Sequence, residues 1–125
     1  MDAQEKGELV IQTIAMPADT NANGDIFGGW LLSQMDLGGA VLAYQITKNR
    51  IATRAIHDMV FIKPVKVGDR VAFYAKVVHR GRTSIGIQIE AWAFRLCAQQ
   101  SEQVAKGLYT YVSIDDAGRS APIHW

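Results

Sequence analysis

Hydrophobic and polar residues follow one another along this chain in different rhythms, and each rhythm predicts a different element. Glu8 to Met16 is short and rich in β-branched residues, which reads as a first strand closed by Pro17. Ala18 to Asp25 gathers Asp, Thr, Asn and Gly, residues that bond nearby backbone and suit turns, and it reads as a loop. From about Gly28 to about Lys48 proline is absent and Leu and Ala are frequent, while Lys48, Asn49 and Arg50 favour a helix C-terminus. Asp25 or the Gly28-Gly29 pair stands at the start of that helix. Trp30, Leu31, Leu32, Met35, Leu37, Val41, Leu42, Tyr44 and Ile46 cover most of its circumference. A helix apolar nearly all round is expected to be buried nearly all round.

After the helix the period shortens. A strand is expected within Ile51 to Pro64, running through Ile56 to Ile62, and Pro64, Gly68 and Asp69 mark the connection to a long strand from Arg70 to His79. Arg80-Gly81-Arg82-Thr83 reads as a tight turn. From Ser84 to Phe94, Ile85, Ile87 and Ile89 alternate with Gly86, Gln88 and Glu90, which completes a hairpin. Arg95 to Gln103 reads as a polar loop, Val104 to Ile114 as the last strand and Asp115 to Gly118 as a turn. The expected class is therefore α+β: one strand, a long helix, then four strands. An antiparallel sheet can wrap one face around such a helix, but it leaves part of the helix and a sheet edge uncovered. A homodimer, alone or within a larger assembly of dimers, is expected to cover both.

Composition narrows the function. The chain has 125 residues, one domain's worth, and 13 basic against 12 acidic residues give a formal charge of +1. No run of like charges is present, so neither a nucleic-acid surface nor an anionic-membrane surface is indicated. The single Cys97 allows no internal disulfide, which fits a reducing, cytoplasmic setting, and it reads as a bystander. His57, His79 and His124 lack a common ligand spacing, so no metal is expected. The polar start carries no apolar run of the signal-peptide kind, and glycines and polar residues dilute Ile26 to Ile46 too far for a spanning segment.

One charge is out of place. From Ile26 to Thr47 the only charged residue is Asp36, and a lone carboxylate in an apolar run is costly to bury unless it is paired, protonated or used. Around it, Met16-Pro17, the stretch from Asp19 to Trp30 and Ser33-Gln34-Met35-Asp36 closely resemble the bacterial acyl-CoA thioester hydrolases of the YciA type. Phe61-Ile62-Lys63-Pro64-Val65, Val67-Gly68-Asp69 and Gly81-Arg82-Thr83-Ser84 resemble later blocks of the same family, so the likeness runs from about Leu9 to about Ile123. The resemblance implies the hotdog fold, a curved antiparallel sheet wrapped around one long central helix. It also implies cleavage of acyl-CoA to a free acid and coenzyme A without a metal or separate cofactor. Asp36 is the implied catalytic carboxylate, a backbone N–H of Gly28 or Gly29 the implied donor to the thioester carbonyl, and a hexamer of three dimers the implied assembly.

The residues are compatible with these roles and with plainer ones. A helix start offers unpaired N–H groups and a positive dipole end, although two glycines also permit a tight entry turn. From Gly28 to Asp36 an α-helix rises about 12 Å, so one helix cannot bring both to one thioester carbon. Two antiparallel helices across a dimer axis could, which predicts a composite site. Asp36 serves there as general base or as nucleophile. Asp25 reads as a helix N-cap that holds the loop, and Asn21 and Asn23 read as turn formers with a possible hand in orienting water or substrate. Arg80, Gly81, Arg82, Thr83 and Ser84, with Lys63, form the expected site for the coenzyme A phosphates. Trp30, Phe27, Met59, Phe61 and Tyr44 are candidates for the acyl tunnel. The competing readings are another hotdog activity, such as a dehydratase, whose catalytic His the helix lacks, and a module that binds or senses acyl-CoA without cleaving it.

Overall fold

Pro17 cannot donate to a ladder and Gly28 opens a proline-free stretch, so the chain leaves its first strand early and enters a single long helix. The computed structural model describes residues 7–95 and 101–125, with β1 (Glu8–Ile14), a 3-10 turn (Pro17–Asp19), α1 (Gly28–Thr47), β2 (Arg50–Phe61), β3 (Arg70–Arg80), β4 (Ser84–Phe94) and β5 (Ser101–Ile114). The expected order holds, with the largest shifts of boundary at the starts of β2 and β5. β2 begins at Arg50, six residues before the expected start, because Lys48 takes the left-handed conformation (φ 56°) and turns the chain straight back into the sheet. β5 begins at Ser101, and the register Trp92↔Gln103, Ala93↔Glu102 and Phe94↔Ser101 shows that the polar residues Ser101 to Gln103 extend the ladder. The rest of the expected polar loop, with Cys97, lies outside the described residues.

All strands pair antiparallel in the order β1-β3-β4-β5-β2. α1 thus carries the chain from one edge of the sheet to the other, and β1 and β2 are the two edges. The curved sheet around one helix is the hotdog fold. Period-two alternation turns Ile85, Ile87 and Ile89 of β4, Phe73 of β3, and Tyr109 and Tyr111 of β5 fully inward against α1.

The helix lies close on this floor because two of its glycines let it. A Cβ at Gly39 would stand 2.2 Å from Tyr111 Oη and 2.6 Å from Ile89 Cδ1, and one at Gly38 would stand 2.8 Å from Val10 Cγ2. The tyrosine hydroxyls then reach helix carbonyls: Tyr109 donates to Leu32 O at 2.8 Å and Tyr111 to Asp36 O at 2.7 Å. The sheet covers only one face of α1, formed by Leu31, Met35, Gly38, Gly39, Leu42, Ala43 and Thr47. Burial all round is therefore not reached within one chain, since Leu37, Val41 and Tyr44 stay 57%, 48% and 57% exposed. One five-stranded sheet is too narrow to enclose a helix apolar on every side.

Candidate functional site

The loop before α1 is shaped by its own side chains. Asn21 Oδ1 accepts the backbone N–H groups of Asn23 (2.9 Å) and Asp25 (3.2 Å), while the Asn21 N–H donates to Asp25 O at 2.7 Å. Gly24 takes φ +80°, the left-handed conformation this turn requires. Because both contacts of the Asn21 side chain are with donors, its oxygen must face the loop and its NH2 points away from it. The loop is anchored outward by Ile26 N–H on Val65 O (2.8 Å) and Phe27 N–H on Asp19 O (2.6 Å).

Asp25 does not cap the helix. Its carboxylate pairs with the Lys66 ammonium, and Phe27 occupies the N-cap with ψ 131° and no side-chain cap. The first turn of α1 contains no acidic residue. Trp30 and Leu31 N–H already reach Phe27 O, at 3.0 and 3.4 Å, whereas the N–H groups of Gly28 and Gly29 meet no backbone carbonyl among the described residues. Two unpaired donors thus stand at the positive end of a 20-residue helix, with the Phe61 ring 3.4 Å from where a Gly28 Cβ would be.

Two turns along, Asp36 is half-buried on the side of α1 that faces β2. Thr53 Oγ1, on β2, donates to Asp36 Oδ1 at 2.7 Å, and the Asp36 carbonyl is held by the Tyr111 hydroxyl. Burial, and after it the Asp36 charge, pushes the phenols of Tyr109 and Tyr111 well above the ordinary tyrosine range. Both remain protonated donors, so the helix segment that carries Asp36 is fixed from below and its carboxylate from the side. In one chain Asp36 and the Gly28-Gly29 end stay about 12 Å apart along the helix axis.

The expected phosphate-binding residues divide between the two ends of the sheet. Arg80 to Ser84 form the β3–β4 turn, beside the helix C-terminus. Lys63 lies at the other end, where its ammonium meets Glu102 Oε1 at 3.3 Å, beside Arg95 on Asp69 (3.4 Å) and Pro64 O (2.7 Å). A single chain therefore makes no joint site of them. Of the expected tunnel residues, Phe27, Tyr44 and Phe61 are exposed, Met59 is half-buried, and Trp30 packs edge-on to Phe73 with centroids 6.3 Å apart. His57, His79 and His124 are exposed, and among the described residues no three His, Cys, Asp or Glu side chains gather in one place. No described helix is long and apolar enough to cross a membrane.

Sequence reasoning missed Thr53, Tyr109, Tyr111 and the packing role of Gly38-Gly39. The tyrosines carried a signal, since they sit two apart in a strand and so share a face. Thr53 carried none: it reaches Asp36 only because β2 lies beside the helix.

The pattern of the Thioesterase superfamily matches residues 23–95. The chain is 50% identical to the acyl-CoA thioester hydrolase YciA of Salmonella typhimurium, over 98% of this chain and 95% of that protein. Among solved structures, it is similar to the hexameric thioesterase of Yersinia pestis, with a TM-score of 0.90, 50% identity, and coverage of 95% of this chain and 97% of that one. It is also similar to the hexameric hotdog fold thioesterase of Campylobacter jejuni, with a TM-score of 0.90, 41% identity, and coverage of 96% and 92%.

Proposed function

The chain belongs to the thioesterase superfamily, among the acyl-CoA thioester hydrolases of the YciA type, and from that premise we propose how its residues divide the work. The single observation that carries the proposal is the separation, on one continuous helix, of an uncapped pair of glycine amides and a braced carboxylate. The amide of Gly28 or Gly29 in one protomer polarises the thioester carbonyl and receives the developing oxyanion. Asp36 of the partner protomer serves the same carbon. Thr53 holds Oδ1, and Oδ2 takes a proton from the attacking water; attack by Asp36 itself would instead give an acyl-enzyme anhydride. The free NH2 of Asn21 beside the helix start is a donor for substrate or water, and Asp25 acts by holding Lys66 and the loop. The phosphates of coenzyme A are assigned to the β3–β4 turn, with Lys63 from a neighbouring chain. No metal is assigned a part, and the assembly is a hexamer of three dimers.

Asp36→Asn is expected to fold and assemble normally and to lose hydrolysis by about two to four orders of magnitude, the ordinary worth of a positioned base. Gly28→Pro removes one N–H at a position that tolerates proline, because Gly28 is the first helical residue and Phe27 already has the ψ favoured before proline. With Gly28 as the donor, neither variant alone should be active. Chains of the two co-expressed should regain roughly a quarter of wild-type activity, since half the dimers are mixed and one site in each is intact. The same mixture made with Gly29→Pro tells which amide is the donor. A mixture that stays inactive with both would place the two groups of one site in the same chain and overturn the composite arrangement.

A further inference from the structure

The β3–β4 turn is built so that its backbone acceptors are occupied. Each of its four carbonyl oxygens is already engaged: Gly81 O by Trp125 Nε1–H (2.9 Å), Arg82 O by Ile123 N–H (2.8 Å), Thr83 O by Ser113 N–H (2.8 Å) and Ser84 O by Gly81 N–H (2.9 Å). Among the described residues no backbone carbonyl meets the N–H groups of Arg82 and Thr83. The turn is left with two unengaged backbone donors, the Thr83 hydroxyl and the guanidinium groups of the exposed Arg80 and Arg82.

Two of the four ties come from one segment, Ile123 to Trp125. Ile123 is buried and anchors it, and Asn49 Nδ2 donates to Pro122 O at 3.5 Å and to Ser113 Oγ at 2.9 Å, which fixes the approach. Trp125 ends the strap: besides bonding Gly81 O, its ring lies under the Arg80 guanidinium, 5.3 Å from the centroid. An anion is repelled by carbonyl lone pairs and held by convergent donors, so occupying the carbonyls from behind converts an ordinary turn into an anion cradle.

We propose that Trp125 is a positioning residue for substrate recognition: with Ile123 it occupies the Gly81 and Arg82 carbonyls and it steers Arg80, leaving a site of donors for a phosphate of the substrate's nucleotide end. This rests on the reading that the substrate is an acyl-CoA whose phosphates meet this turn. The indole N–H is the part that matters, so Trp125→Phe, which keeps the ring, separates the hydrogen bond from packing.

The test compares three thioesters of one acyl group, on coenzyme A, on dephospho-coenzyme A and on pantetheine. Trp125→Phe and Trp125→Ala are expected to raise KM for acyl-CoA by about three- to tenfold, the cost of one hydrogen bond, with kcat within about twofold. KM for acyl-pantetheine should not move. Dephospho-coenzyme A tells which phosphate is read: an unchanged effect places the diphosphate at the turn, and a lost effect the 3′-phosphate. Unaltered KM for acyl-CoA in both variants, or an equal rise for acyl-pantetheine, would overturn the role of Trp125. Wild-type protein that bound acyl-CoA and acyl-pantetheine equally would overturn the assignment of phosphate to the turn itself.

Discussion

Asp36 is one charge in a long apolar helix, and its surroundings account for both its cost and its use. Asp36 is half-buried, and the Thr53 hydroxyl donates to one of its oxygens at 2.7 Å while the neighbouring tyrosines donate to helix carbonyls. On the proposed reading Thr53 orients Asp36 instead of touching the thioester. Thr53→Val keeps the shape and removes the donor, and kcat is expected to fall about tenfold with little change in KM. Thr53→Ser should restore most of the rate, which steady-state kinetics on the three proteins would check. A valine variant as fast as wild type would show that Asp36 needs no such brace.

α1 seats on the sheet at Gly38 and Gly39, and the two positions are unequal. A Cβ at Gly39 would run into the Tyr111 hydroxyl and Ile89, both fully buried, whereas at Gly38 it meets the methyl end of the half-buried Val10. Gly39→Ala should therefore lift the helix off its floor and destabilise the fold by about 1–3 kcal/mol despite alanine's better helix propensity, a shift read from the midpoint of urea unfolding. Gly38→Ala should cost clearly less. The same lift would break the Tyr111 bond to Asp36 O, so the Gly39 variant should also lose activity before it loses its fold. At this scale the helix and β5 act as one unit that aims the carboxylate.

A single copy of this molecule leaves its apolar helix face and the long β2 edge bare, and the proposed site is incomplete for the same reason. Replacing Leu37 and Val41 together by Glu should shift sedimentation to a smaller species, because both are about half exposed in one chain and the proposed assembly would cover them. Hydrolysis should survive reduction to dimers and vanish in monomers, where Gly28 and Asp36 cannot meet; a fully active monomer would contradict the composite site. Much of this molecule was readable from residues alone. Alternating Ile85, Ile87 and Ile89, the proline-free run from Gly28 and the Asn-Gly-Asp loop are local patterns, and local patterns are what backbone geometry and burial write into a sequence. They determined the order of elements, and with the family resemblance they marked Asp36 and the glycine pair. Only the tertiary structure decided that β2 crosses the sheet to lie beside β5, bringing Thr53 to Asp36 across 17 positions. It also parted Lys63 from the β3–β4 turn and brought Trp125 onto Gly81 across 44 positions. Such contacts depend on register and on the path of the connecting helix, and no short-range period encodes either.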